Sequence, residues 1–361
     1  MVIDKLFRKL ILLVTLLKGI GIFLIILPLI IDMWGYSETP KPVELEFIRT
    51  IPTEEQEDIF FKFPPVIAVD KDGYLYAFDP NSHHWVYKIN RKGELVLTIG
   101  KQGAGPGDLY KPFLMSIRDN EMVIMDQFGF SIFDTNGRFI EKFKKFKDIM
   151  DFDVHKKKIY ARINASQKLI TVFDYKGKKL GEFGDIYKAD LSIFKGQSRE
   201  FLEGFMNSGR VMCMNDKIVY ISKFFGDIKI FDYTGKCIGG YMLTIDESTV
   251  KSNKDYFFKN GEKTGGSLSA TSVFYDSYIE GDRLYILNGG RKYFEVILEF
   301  NLKNMALQKE YIFYDRKNSK PIDCTARKLI VRNNREGLFF YVSIREMDEE
   351  WNSILSIYRK R

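Results

Sequence analysis

PPVIAVDKDGYLYAFDPNSHHWVYKINRKGELVLTIGKQGAGPGDLYKP, residues 64–112, alternates short apolar runs with clusters of turn-forming residues. Four strands are predicted in it: Val66–Val69, Tyr74–Phe78, Trp85–Ile89 and Leu95–Ile99. The breakers between them are Lys71-Asp72-Gly73, Pro80-Asn81-Ser82 and Arg91-Lys92-Gly93. Such clusters favour hairpins, because glycine supplies a positive φ and Asp or Asn bonds its own turn. A four-stranded sheet of this size cannot bury both faces alone, so it needs neighbours of its own kind.

The punctuation recurs. Asn90-Arg-Lys-Gly93, Asp134-Thr-Asn-Gly137, Asp174-Tyr-Lys-Gly177 and Asp232-Tyr-Thr-Gly235 each follow one apolar strand and precede another, and Asn301-Leu-Lys-Asn304 is a degraded fifth copy. The second strands align as YLYAFD, EMVIMD, KIYARI, KIVYIS, RLYILN and GLFFYV, which makes six units. The sixth ends after three strands, and Glu44–Ile51 (ELEFIRTI) is the candidate for its fourth. A strand from the opposite end of the chain would close the ring and cover the open edges. The expectation is therefore an all-β fold, a six-bladed β-propeller spanning residues 43–361, with strand 44–51 closing the last blade.

Ahead of it, Leu10–Ile31 is apolar apart from Lys18 and follows Lys5, Arg8 and Lys9. About 20 such residues span a bilayer as a helix, and basic residues before the run keep the N-terminus cytoplasmic. Residues 1–36 read as a transmembrane signal anchor, with a cleaved signal ending near Gly35-Tyr36-Ser37 as the alternative. Residues 37–42 form a short linker. Either reading places the propeller outside the cytoplasm, periplasmic or extracellular. The net charge of +7 over 361 residues, with no dense Lys/Arg cluster, argues against nucleic acid. Cys213, Cys237 and Cys324 lack CxxC spacing, which excludes zinc-ribbon and dithiol redox motifs and leaves a disulfide among them open.

The run IGKQGAGPGDLYKP, together with VIAVDKDGYLYAFD, resembles the NHL-repeat pattern of a glycine-rich loop, a proline and an inner strand ending in Val-Asp. The likeness is good over Val66–Phe143, moderate to Leu243 and poor beyond. It implies a six-bladed propeller of exported or membrane-anchored bacterial type. Related propellers hold Ca²⁺ or Zn²⁺ in the central channel, which makes a lactonase- or lyase-type enzyme the alternative function.

The long connections Lys101–Lys111, Asp185–Arg210 and Thr244–Ser272 all join an outer strand to the next inner one, so they emerge on one face. Function concentrates on long loops carried by rigid scaffolds, and this face is the expected working surface. Its candidate partner-binding residues are Tyr110, Lys223, Phe224, Phe225, Tyr256, Phe257 and Phe258, read either as exposed aromatic anchors beside a lysine or as the cap of a small core of the insert's own. Asp79, Asp126, Asn164 and Asn288 end equivalent second strands and are placed at the channel rim. His83, His84 and Asp108 are weak metal candidates, and no cofactor is required. Without a Gly-x-Ser-x-Gly, HExxH or His–Cys arrangement, the leading reading is a binding module for a protein or glycan.

Overall fold

Each Asp/Asn-x-x-Gly cluster closes its turn with the same bonds. Asp134 Oδ1 accepts the Asn136 N–H at 3.0 Å and the Arg138 N–H at 2.8 Å, while the Gly137 N–H donates to the Asp134 carbonyl at 2.9 Å. Gly137 sits at φ +85, a conformation costly for any residue with a Cβ. Asn90, Asp174 and Asp232 repeat this pattern. In the degraded copy Met305 takes the positive φ, 53, that glycine would otherwise supply.

The fold is seen in a computed structural model, which describes residues 41–53, 56–80, 84–144, 148–164, 166–190, 194, 198–243, 245–260, 270–288, 296–313, 325–345 and 353–360. Residues 42–361 form a compact unit of their own. The first strand is β1 (Val43–Ile51). Four antiparallel sheets follow in chain order. They are β2 (Val66–Val69), β3 (Leu75–Phe78), β4 (Val86–Ile89) and β5 (Leu95–Ile99); β6 (Leu114–Arg118), β7 (Glu121–Met125), β8 (Gly129–Asp134) and β9 (Phe139–Lys144); β10 (Ile149–His155), β11 (Lys158–Ile163), β12 (Lys168–Asp174) and β13 (Lys179–Asp185); and, after helix α1 (Arg199–Met206), β14 (Gly209–Cys213), β15 (Ile218–Ser222), β16 (Asp227–Phe231) and β17 (Cys237–Met242). Helix α2 (Glu247–Asp255) runs into a π-helical turn, Tyr256–Asn260. The remaining strands are β18 (Phe274–Glu280), β19 (Arg283–Asn288), β20 (Val296–Asn301), β21 (Leu307–Ile312), β22 (Thr325–Asn334), β23 (Gly337–Arg345) and β24 (Ser353–Lys360).

These last seven strands do not form two separate blades. With β1 they make one eight-stranded sheet in the order β18-β19-β20-β21-β1-β24-β23-β22. The expected six separate four-stranded blades are thus corrected to four four-stranded sheets and one of eight. The cause is β1, which pairs on both edges. It runs antiparallel to β24 from Leu45↔Lys360 to Ile51↔Leu355, and parallel to β21 at Val43↔Tyr311 and Glu44↔Ile312. The eight-stranded sheet folds back at this seam, so that Tyr285 and Tyr311 from one half meet Phe340 from the other at 5.9 and 4.8 Å. The expected transmembrane helix is corrected as well: among the described residues no helix is long and apolar enough to cross a membrane. The run Leu10–Ile31 lies outside the described residues.

The central strands β3 and β15 are buried on both faces and read as unbroken apolar runs, whereas outer strands such as β5 alternate. Apolar clusters join consecutive sheets: Val86 and Ile99 pack with Met122 and Ile124, and Ile170 and Val172 with Val211 and Ile218. The first strands of the units, β2, β6, β10, β14, β18 and β22, neighbour one another in a closed ring. This is a propeller-type architecture.

Candidate functional site

The ring of first strands encloses a cavity of about 770 Å³. An inner strand has one free ladder edge toward the axis, and buried N–H groups there need acceptors. Carboxylates supply them. Asp151 and Asp153 on β10 accept the N–H groups of Val211 and Cys213 on β14, both at 2.7 Å. Asp276 and Glu280 on β18 accept those of Leu329 and Asn333 on β22, both at 3.0 Å.

Each of these carboxylates then draws a cation. Arg210 lies between two of them, with Nη1 2.7 Å from Asp151 Oδ1 and Nε 3.0 Å from Asp276 Oδ1. Burial works against its charge, but Asp151 and Asp276 outweigh burial and push its pKa up. Arg118 stands 3.6 Å from Asp153 and donates to the Cys213 carbonyl. Arg332 stands 3.1 Å from Glu280 and donates to the Val69 carbonyl, tying β22 to β2.

The cavity is lined by the turns that follow the first strands, Asp70-Lys71, Asp119-Asn120, Asn215-Asp216 and Gly281-Asp282. Among the described residues of the three long connections only Arg210 reaches it, and Arg210 stands in β14. The described parts of the expected loop-rich working surface otherwise stand outside the cavity wall. The second and third connections instead fold on each other. Phe194, Leu202 and Met206 pack with Tyr256 and Phe257 around Phe224 and Phe225. The helices are anchored by their caps, Ser198 Oγ accepting the Phe201 N–H and Asp246 Oδ1 the Thr249 N–H.

This corrects the reading of the aromatics as exposed anchors. Phe225 and Phe257 are 0% exposed, and Phe224 and Tyr256 are buried beside them. Only Phe258 is exposed, stacked on Phe225 at 5.8 Å. Phe257→Ala is accordingly expected to cost roughly 3–5 kcal/mol in denaturant unfolding. Phe258→Ala should cost about 1 kcal/mol or less.

Tyr110 stacks between His84 (5.3 Å) and Phe128 (5.1 Å), and His84 Nδ1 accepts the Lys111 N–H at 3.2 Å. Asp108 accepts the Gly105 N–H at 3.0 Å within its own glycine-rich loop. His83 lies outside the described residues. The proposed rim residues do not meet, and none lines the cavity. Asp79 turns to the N–H groups of Lys62 (2.7 Å) and Phe63 (2.9 Å), and Asp126 to those of Tyr110, Phe128 and Gly129. Asn164 fills the space over Gly204 of α1, and Asn288 is buried. The physical reason is position: these residues end second strands, one layer out from the axis. Among the described residues, no group of three or more His, Cys, Asp or Glu side chains is placed to hold a metal ion.

Among the described residues, the cavity wall pairs no cysteine or serine with a histidine. Burial pushes the Cys213 thiol well up, and the Ser116 hydroxyl donates to Asp153 at 2.5 Å with no histidine in the cavity wall. The missed cavity residues Arg118, Asp151, Asp153, Arg210, Asp276, Glu280, Lys328 and Arg332 carry one sequence signal. On the first strands they fall at even spacings, Asp151 and Asp153 two apart, Asp276 and Glu280 and likewise Lys328 and Arg332 four apart, as one face of a strand requires.

Fold and cavity define a propeller-type protein with a polar axial site. No protein-family model matches the chain, so the likeness to NHL repeats rests on the quoted residues alone, and no curated protein matches either. Among solved structures, a Bacteroides fragilis protein described as exported aligns with TM-score 0.57 at 12% identity, covering 90% of this chain and 97% of its own. A Bacteroides thetaiotaomicron protein of unknown function aligns with TM-score 0.50 at 9% identity, covering 84% and 70%. At such identities the likeness concerns the fold.

Proposed function

We propose that this protein is a binding module acting outside the cytoplasm, with a small polar, hydroxyl-rich ligand of glycan type seated in the axial cavity. The observation that carries the reading is the cavity wall. It presents fixed donors and acceptors, held by ion pairs and backbone bonds, without a nucleophile and its base. Its volume of about 770 Å³ falls within the usual range of small-molecule sites. The basic-flanked apolar run 10–31 supports the location.

Ala68 tests the seat. It lines the cavity and lies outside the apolar clusters between sheets, so Ala68→Trp fills the site without repacking a core. A saccharide panel read by thermal shift is expected to yield a ligand that raises Tm by several degrees, since saturation at a hundredfold Kd adds roughly 2.7 kcal/mol. Ala68→Trp should abolish that rise. A ligand held equally by both proteins would move the working surface elsewhere, and turnover of the ligand would make the protein an enzyme.

A further inference from the structure

The cavity has two ends of opposite character. Asp119, Asp216 and Asp282 stand in the turns at one end, with Lys71 beside them. At the other end, where the first strands begin, cations gather. Arg210 and Lys328 line the cavity there. Lys223, just after β15, is pinned by its backbone between the residues leading into β14 and β18: its N–H donates to the Ser208 carbonyl and its carbonyl accepts the Val273 N–H, both at 2.9 Å. Arg327, next to Lys328, lies 5.1 Å from the Tyr275 ring.

Against these four cations stand two carboxylates, Asp151 and Asp276. Both are already engaged, each with Arg210 and each with a backbone N–H. The ammonium groups of Lys223 and Lys328 have no ion pair or hydrogen bond among the described residues. Burial pushes the Lys223 pKa down, and the charges of Lys328, Arg327 and Arg210 push it further, with Asp276 opposing. Half-buried ammonium groups without a counterion are costly unless an anion joins them.

We propose that the strand-start end of the cavity is a seat for an oxyanion, a phosphate or carboxylate group of the ligand, held by Lys223 and Lys328 beside Arg210. The inference rests on the reading of the axial cavity as a ligand seat. The acidic turns at the opposite end orient the ligand by repelling a second anion.

The test is calorimetric titration of the full chain at low ionic strength, with inorganic phosphate and glucuronate as probes. At least one of them is expected to bind with unit stoichiometry. Lys223→Gln and Lys328→Gln should each weaken it tenfold or more, and Lys179→Gln, on the outer strand β13, should leave it unchanged. Neither lysine variant should lower Tm, because each removes a like-charge contact. Absence of binding by both probes, or equal binding by the lysine variants, would overturn the seat. So would binding that survives Ala68→Trp. An uncharged saccharide blocked by Ala68→Trp in a protein that ignores both anions would remove this inference and leave the cavity reading standing.

Discussion

Arg210→Met is expected to lower stability by roughly 3–5 kcal/mol at neutral pH, because it strands two buried carboxylates. The side chains of Asp151 and Asp276 are only 6% and 3% exposed, whereas Arg210 itself is 26% exposed. The penalty therefore belongs to the acids. Each keeps one backbone donor, Val211 or Leu329, but loses its counterion. The sign of the pH dependence follows. Burial already pushes the Asp151 pKa above the ordinary carboxylate range, and removing Arg210 withdraws the main opposing charge. In the variant the native state holds its proton more tightly than the unfolded chain does. The destabilisation is full above the native pKa and shrinks as pH falls toward the unfolded value near about 3.9. Denaturant unfolding at pH 7 and pH 5 checks this: the gap from the parent protein should narrow at the lower pH. A constant gap, or one below about 1 kcal/mol, contradicts the assignment of Arg210 as the shared counterion.

A chain beginning at Pro52, lacking β1, is expected not to fold as a monomer. Its loss is of the order of the whole stability of a typical domain, roughly 5–15 kcal/mol. Leu45 and Ile51 are 5% and 1% exposed and belong to two different apolar clusters, so both lose a buried side chain. The strand edges of β21 and β24 open at once, and unpaired edges template aggregation. Size-exclusion chromatography with far-ultraviolet circular dichroism reads the outcome. A peptide of residues 43–51 added in trans during refolding should recover monomer. A truncated monomer with the parent's Tm would show that β1 is dispensable.

What the sequence made legible was local. The Asp134 and Asp232 turns are set by one side-chain oxygen and one glycine within five residues, so their chemistry is visible without a fold. The partner of β24 was readable because a unit of three strands lacks its fourth. The second pairing of β1 was not, since two bridges to β21 across more than 250 residues leave no periodic trace. The aromatics of the inserts stayed ambiguous between anchor and core for the same reason. Phe224 and Phe257 look like surface anchors in isolation and become core only when two distant connections meet over them. The candidate site was sought at the ends of second strands, where Asp79 and Asp126 recur in similar contexts. The charges that line the axis, Asp151, Asp153, Arg210 and Arg332, sit on the first strands, where a charged residue in a short β run reads as an interruption.

The seam at β1 also bears on the order of assembly. Of the described strands β1 comes first in the chain, yet its antiparallel partner spans residues 353–360, the last described stretch. Closing a loop of that length carries a chain-entropy cost that grows as the logarithm of its size, and before β24 arrives only the two bridges to β21 offset it. Topologies dominated by such distant contacts fold slowly. Until β24 is made, the long edge of β1 that it covers stays open, and β1 has only its short pairing with β21 to hold it. Refolding kinetics should show a slow final phase in which β1 is captured, and that interval is when the chain is most open to mispairing with another copy.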